Sequence, residues 1–380
     1  MTNAALWAFW LSAAATIYAY AGYPILLALL GRVMGRGVAS GDSGDDGLPP
    51  ITMIVPAHNE RRRIEPKLEN TRRLDYPAGK LEVLFVSDGS TDGTDDLIRA
   101  GLDDRSRLHP LTGRGGKASA LNAGLQLASH DVIVFSDASI LLEPDALRHI
   151  ARPFGDPVIG CVSGEDRIAG GGGEGLYGRY ELYLRRLESR VSSIVGASGS
   201  FYAQRRHLCR PFQPGLAPDF HSVLHTVEQG YRAISQPDAV GMMTALDNPK
   251  DEFTRKVRTI LRGITTLASH LHLLNPFRYG LFAVEVASHK LARWLVPFFL
   301  IAMLLASLVL AGRAPFYAVV AAAQATFYLL AAGGLLVPAL ASALPVRVAV
   351  YFTAVNVATL VAWLKFGGGA RQEIWAPTER

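Results

Sequence analysis

Cysteine is nearly absent from this chain, and charge is absent from long stretches of it. Cys161 and Cys209 are the only thiols and lie far apart. Two such residues exclude a disulfide framework and are too few for a structural metal centre, so buried free thiols are expected. Residues 4–30 carry no charged side chain over a length that can cross a bilayer. Residues 294–312, 316–340 and 346–364 are three further apolar blocks, with only Arg313 and Arg347 in or next to the gaps. No basic residue precedes the first block and its apolar stretch exceeds a usual h-region, which argues against a signal peptide. The net charge is +5, but the basic residues are scattered and no stacking aromatics interleave with them. That pattern excludes a nucleic-acid partner and suits a domain lying against anionic lipid.

The expectation is therefore a multi-pass protein of the cell (inner) membrane. Arg32 and Arg36 follow the first block, and Lys290 and Arg293 precede the second. The excess of positive charge places the middle of the chain in the cytosol. Lys365, Arg371 and Arg380 also favour the cytosol, although three later spans would put them outside. Gly333, Gly334 and Pro338 mark the third block as the one expected to be re-entrant or interfacial. The divisions expected are a span over residues 1–31, a Gly/Ser/Asp-rich linker over 32–50, and a soluble α/β domain over 51–270. An amphipathic interface segment over 271–293, a membrane region over 294–366 and a tail over 367–380 complete the chain.

Three apolar runs in the soluble part each lead into an acid: TMIVPAHNE to Glu60, EVLFVSDGSTDGT to Asp88, and DVIVFSDAS to Asp137. Short Val/Ile/Phe runs closed by Asp, Ser or Gly read as strands buried on both faces of a parallel sheet. Ligands of such sheets bind outside the carboxyl ends of the strands, so three acids there suggest a polyhydroxylated ligand or a metal-bridged phosphate. The competing reading is that each acid caps the helix after its strand. Strands are expected at 52–56, 82–87, 107–111, 132–136 and 199–204, and helices at 62–74, 176–194 and 220–229, with others starting at 94, 117 and 252.

GRGGKASALNAG, residues 113–124, contains a G-x-G-x-x-A match with Asp137 about 20 residues on, as a dinucleotide fold would have. Two strands precede it where the fingerprint follows the first, which argues against an NAD(P)-dependent membrane oxidoreductase. Ala118 also stands where a Walker loop needs Ser or Thr.

These residues resemble the family 2 glycosyltransferases of GT-A fold, in particular membrane-embedded polysaccharide-synthase-like members. VPAHNE resembles the family's opening strand, VSDGSTDGT its nucleotide-recognition turn, GGKASALNAGL its glycine-lysine helix start and SDASILLEPDAL its D-x-D segment. The resemblance implies a GT-A domain with a Rossmann-like mixed sheet and a nucleotide-sugar donor, with UDP as the carrier. It assigns Pro56, Glu60, Asp88, Lys117, Asp137, Arg255 and Arg258 to the donor. A divalent ion, Mg²⁺ or Mn²⁺, is implied at Asp137, with Ser139 where the second Asp of D-x-D stands.

GASGSFYAQRR resembles the acceptor-side strand, which assigns Ser198, Gly199 and Ser200 to the acceptor. Pro218 replaces the first acid of a Glu-Asp pair, and Asp219 matches the second, the catalytic base. Without the resemblance, Asp219 reads as a helix N-cap. EFTRKVRTILRG falls where polymerising members carry Q-x-x-R-W. Arg255 stands for Gln, Arg258 matches Arg and Thr259 replaces Trp, so single addition becomes at least as good a reading as polymerisation. A basic helix against lipid headgroups is the competing reading there. The implied partners are a glycan or lipid-linked acceptor, the bilayer and polysaccharide-assembly proteins. The Pro218 and Ser139 departures keep open an inactive scaffold subunit.

Overall fold

The structure is a computed structural model that describes residues 2–35, 45–169, 173–244, 249–337, 339–340 and 343–370. Residues 36–44 of the expected linker, which include Arg36, part of the 170–175 glycine loop, Pro338 and the tail with Arg371 and Arg380 lie outside the described residues. The strands are β1 (Ile51–Ala57), β2 (Leu81–Ser87), β3 (Ser106–Pro110), β4 (Val132–Ser136), β5 (Leu141–Leu142), β6 (Ile159–Ala169), β7 (Phe201–Arg205) and β8 (Arg232–Thr244). They form one eight-stranded sheet in the order β3-β2-β1-β4-β7-β6-β8-β5. The first four strands pair in parallel, β7 joins antiparallel to β4 and β6, β6 and β8 pair in parallel, and β5 lies antiparallel on the edge.

Alternation along the central strands sorts their side chains onto two buried faces. Met53, Val55, Val83, Phe85 and Val134 pack beneath the helices Arg61–Arg72 and Ala146–Ala151. Ile54, Leu84, Val86, Ile133 and Phe135 face Leu121, Phe220, Leu224, Leu267 and Phe282. Full burial of such a side chain contributes about 1.5–3 kcal/mol. Phe282 belongs to the long helix that begins at Leu281, so one face of the sheet is fastened directly to an apolar helix. Gly124 makes the close fit of the helix Lys117–Leu127 possible, because a Cβ there would stand 2.6 Å from Ile54 Cγ2.

Among the described residues, four helices are long and apolar enough to cross a membrane: Asn3–Met34, Leu281–Leu310, Pro315–Leu336 and Leu344–Gly367. The second starts well before the expected residue 294, so Lys290 and Arg293 lie inside the helix and not ahead of it. The third runs unbroken through Gly333 and Gly334. A Cβ on Gly334 would stand 2.6 Å from Val346 Cγ1, so this glycine serves close helix packing. The first two helices each contain a π-helical turn, Tyr18–Gly22 and Ala287–Ala292, and Tyr18 Oη lies 2.7 Å from Ser288 Oγ.

Three local expectations are corrected. The strand expected from 199 begins at Phe201, because Ser198 Oγ accepts the N–H groups of Ser200 and Phe201 and holds 198–200 as a turn. The charged helix spans Gly173–Val191. Asp219 is not an N-cap: Ala217 holds that place, Pro218 takes the first helical position, and Asp219 follows in the first turn of Pro218–Glu228. Cys161 and Cys209 are free thiols, the first buried and the second half-buried.

Candidate active site

The carboxyl ends of β1, β2 and β4 meet at one edge. Asn59 turns the chain out of β1 with φ +52, the only positive φ outside glycine among the described residues. Its Oδ1 accepts Thr91 N–H at 2.8 Å, tying the β1 turn to the β2 turn. His58 Nδ1 donates to the Asp88 carbonyl at 2.7 Å. Glu60 is 5 % exposed; burial pushes its carboxyl up, against the pull of Arg63, whose Nη1 is 2.9 Å away. Pro56 is buried inside β1, opposite Val86.

Asp88 holds the glycine loop. Its Oδ1 accepts Gly115 N–H at 2.8 Å and its Oδ2 accepts Gly116 N–H at 2.7 Å. Gly116, at φ +85, then starts the helix that presents Lys117. This loop follows β3, the edge strand, and engages a carboxylate of β2, an arrangement unlike a dinucleotide fingerprint.

Lys117 joins the strand-end edge to the 198–200 turn. Its Nζ lies 2.5 Å from Asp137 Oδ1 and donates to Gly199 O at 3.2 Å. Asp137 N–H in turn donates to Ser200 O at 3.0 Å. Ser198 is pinned by its N–H to Ser163 Oγ at 2.8 Å and by its hydroxyl to Asp166 Oδ1 at 2.5 Å. A Cβ on Gly199 would stand 3.9 Å from Asp219 Cγ, so the Asp219 carboxylate faces bare backbone at this point. The structure thus brings Lys117, Asp137, Ser198–Ser200 and Asp219 together.

The basic helix Pro249–Ala268 carries Arg255, Arg258 and Arg262 at spacings that share one face. Burial lowers the Arg258 guanidinium, and the charges of Arg262 and Arg255 lower it further. Burial also lowers Arg262, while Asp219 raises it. Lys256 points elsewhere, paired with Glu252 and lying 4.7 Å over the Tyr351 ring. The helix therefore divides its cations between the Asp219 side and the apolar helices. Thr259 is exposed.

Asp137 and the half-buried Ser139 offer only two side-chain oxygen groups for a metal, and no group of three His, Cys, Asp or Glu suited to a metal occurs among the described residues. Such a donor set fits a hard divalent ion only when diphosphate oxygens and water complete the shell.

Lys67 escaped the sequence reading. It is fully buried, and its Nζ donates to Ser136 Oγ and to Ile140 O, both at 2.7 Å, bracketing the turn that carries Asp137 and Ser139. Within RRRIEPKLEN it reads as one more solvated helix lysine, and no local signal marks it.

Residues 52–210 match the Glycosyl transferase family 2 model. The poly-beta-1,6-N-acetyl-D-glucosamine synthase of Staphylococcus aureus is 35% identical over 129 residues, covering 33% of this chain and 31% of its own. The beta-monoglucosyldiacylglycerol synthase of a Nostoc strain is 32% identical over 126 residues, covering 32% of this chain and 27% of its own. The chain thus spans about a third of the length of these curated relatives. Among solved structures, a mannosyltransferase from Pyrobaculum calidifontis in complex with GDP-Man and Mn²⁺ is 28% identical with a TM-score of 0.72, covering 93% of this chain and 97% of its own. The chain carries a family 2 glycosyltransferase domain of GT-A fold, accompanied by four apolar helices.

Proposed function

We propose that the protein is a membrane-bound inverting glycosyltransferase that moves a sugar from a nucleotide sugar to a glycan or lipid-linked acceptor. The catalytic domain faces the cytosol at the inner membrane, and the product enters exopolysaccharide or cell-surface glycan synthesis. The observation that carries this reading is the convergence of Lys117, Asp137, Gly199 and Asp219 at the strand ends. In this reading a diphosphate site and a single carboxylate lie on opposite sides of one short backbone segment. A uridine carrier is the reading from the sequence. The full-length likeness to a protein holding GDP-Man favours guanosine as a second reading.

In this reading Asp219 takes the proton of the acceptor hydroxyl as that oxygen bonds to the anomeric carbon and the bond to the nucleotide diphosphate breaks. Arg255 and Arg258 face the negative charge that grows on the departing diphosphate. A divalent ion at Asp137 and Ser139 would supply further neutralisation of that charge when bound. Glu60 and Asp88 border the nucleoside, Asp88 acting through the glycine loop it holds.

The test is transfer of labelled sugar by the purified full chain from a panel of UDP- and GDP-sugars, with and without Mn²⁺. Asp219→Asn is expected to lower turnover at least a thousandfold with nucleotide affinity within twofold of wild type. Near-normal turnover in that variant would remove the base assignment. No transfer by the wild-type chain with any donor and acceptor would favour a scaffold role.

A further inference from the structure

Five basic side chains and one acid meet along the later turns of the helix Pro218–Glu228. His221 and His225 stack one turn apart with ring centres separated by 6.3 Å. His270 lies 5.2 Å from His221, and His272 lies 6.0 Å from His270. Arg210 joins them from the segment after β7, its Nε donating to His225 Nε2 at 2.9 Å. Arg210, His221, His225 and Glu228 line a cavity of about 330 Å³ with Pro211 and Gln213. None of these residues belongs to the candidate active site.

Hydrogen-bond donors and acceptors do not balance in this cluster. Glu228 is the only acid lining the cavity, and both its oxygens are engaged, Oε2 with His225 Nδ1 at 3.0 Å and Oε1 with His272 Nε2 at 2.7 Å. His221 is 8% exposed, yet neither ring nitrogen has a hydrogen-bond partner among the described residues. A buried polar group left in that state is costly, and a ligand that bonds to it accounts for it. Arg210 is exposed and commits its Nε to His225, which leaves the Nη groups to face a ligand. After burial, the charges of His270 and His225 act most strongly against protonation of His221, with Glu228 opposing them and Arg210 adding to them. The cavity thus combines unspent donors with a positive field.

We infer that this cavity binds a phosphoester, whose oxygens accept from the Arg210 Nη groups and from the His221 ring. A guanidinium fork matches two phosphate oxygens with parallel N–H groups. A cavity of this size admits the phosphate together with the group that it esterifies. The site is separate from the diphosphate site proposed at Lys117 and Asp137. Lipid headgroups and soluble phosphoesters share this chemistry, and the surroundings bring both within reach. His272 lies on the segment leading into the apolar helix Leu281–Leu310, with its ring 6.0 Å from that of Tyr279. Leu271 and Phe277 of the same segment are exposed, as apolar side chains at a bilayer surface would be.

The test titrates the full chain in neutral detergent at pH 7.5 with glycerol 3-phosphate and with glycerol, and measures Mn²⁺–nucleotide affinity on the same samples. The phosphoester is expected to bind at least tenfold tighter than the alcohol. Arg210→Gln and His221→Leu each weaken it at least fivefold with nucleotide affinity unchanged, whereas Lys117→Met leaves it as in wild type. Arg210 is exposed, so Arg210→Gln reports on the site even where His221→Leu lowers stability. Equal affinity for phosphoester and alcohol overturns the inference, as does wild-type affinity in either variant. A loss confined to Lys117→Met also overturns it, by placing the phosphate at the strand ends. Displacement of the probe by phosphatidylglycerol but not by diacylglycerol supports the inference with a lipid headgroup as ligand. Displacement by neither supports it with a soluble phosphoester, and displacement by both marks an apolar site and overturns it. Failure of the glycosyltransferase reading appears separately, as absent nucleotide binding with phosphoester selectivity intact.

Discussion

Lys117 places its ammonium 2.5 Å from Asp137 Oδ1, where a divalent ion bound to that carboxylate would lie. The pair is largely shielded, with side chains 13% and 24% exposed. The same ammonium also donates to Gly199 O, so the lysine ties Asp137 to the 198–200 turn. In the proposed function, an ion arriving with a diphosphate would displace this contact and free Lys117 to meet the phosphates.

Lys117→Met is therefore expected to have two opposite effects. Without nucleotide, Mn²⁺ binds more tightly because Asp137 is no longer paired. With nucleotide, donor affinity falls at least tenfold, about 1.4 kcal/mol. Manganese titration followed by electron paramagnetic resonance, with and without nucleotide, reads both. Weaker Mn²⁺ binding in the nucleotide-free variant would contradict the exchange.

Asp88→Asn keeps the shape of the side chain but turns an N–H₂ group toward one of two backbone donors. One of the Gly115 and Gly116 bonds is lost, at about 1–3 kcal/mol for a buried group left unsatisfied. The expected result is faster proteolytic cleavage within residues 113–116 and a raised donor KM, with acceptor KM unchanged. An intact protease pattern would place the role of Asp88 elsewhere.

Lys67→Met preserves bulk but leaves Ser136 Oγ and Ile140 O without their donor. A loss of about 2–4 kcal/mol in stability is expected from two buried groups. The turn carrying Asp137 and Ser139 should loosen with it, lowering Mn²⁺ affinity in the presence of nucleotide. Thermal unfolding and manganese titration are the readouts. Unchanged metal affinity in a folded variant would reduce Lys67 to a packing role.

The sequence revealed the first half of the sheet well because β1, β2 and β4 each contain an unbroken apolar run, MIVPA, VLFV and VIVF, with Thr52 and Glu82 confined to the strand starts. β6 and β8 escaped for the opposite reason. β6 contains Ser163, Gly164, Glu165 and Asp166, and its buried Glu165 is compensated mainly by Arg186, which reaches from the helix Gly173–Val191 to hold both carboxylate oxygens at 2.8 Å, with Arg167 at 3.8 Å. β8 contains Pro237 and Asp238, which lower strand propensity locally while tertiary pairing with β6 overrides them. Glu60, Asp88 and Asp137 could be picked out as acids ending strands. That Asp88 spends both oxygens on the glycine loop could not, since it depends on a fold-back of 27 and 28 residues. Lys67 was illegible for a related reason: the lysine is ordinary in its own helix, and only its distant partners Ser136 and Ile140 make it unusual.

His221 supplies a prediction in pH. It is 8% exposed, and neither ring nitrogen has a hydrogen-bond partner among the described residues. Burial first, then His270 and His225, push it down to about 4, with Glu228 pulling the other way and Arg210 adding to the fall. Arg210, His225 and Glu228 line a cavity of about 330 Å³ with it. The unfolded chain binds this proton with a pKa near 6.5, so between about pH 6.5 and 4 the unfolded state holds more protons than the folded one. Stability present above pH 6.5 is therefore lost as pH falls through that window, by about 3 kcal/mol at full extent. His221→Leu removes the proton acceptor and fills part of the cavity wall with an apolar group. The apparent Tm of the variant in detergent should fall less than that of wild type between pH 6.5 and 4.5, and the two should differ little at pH 7.5. Parallel curves across the range would show that another group controls acid sensitivity.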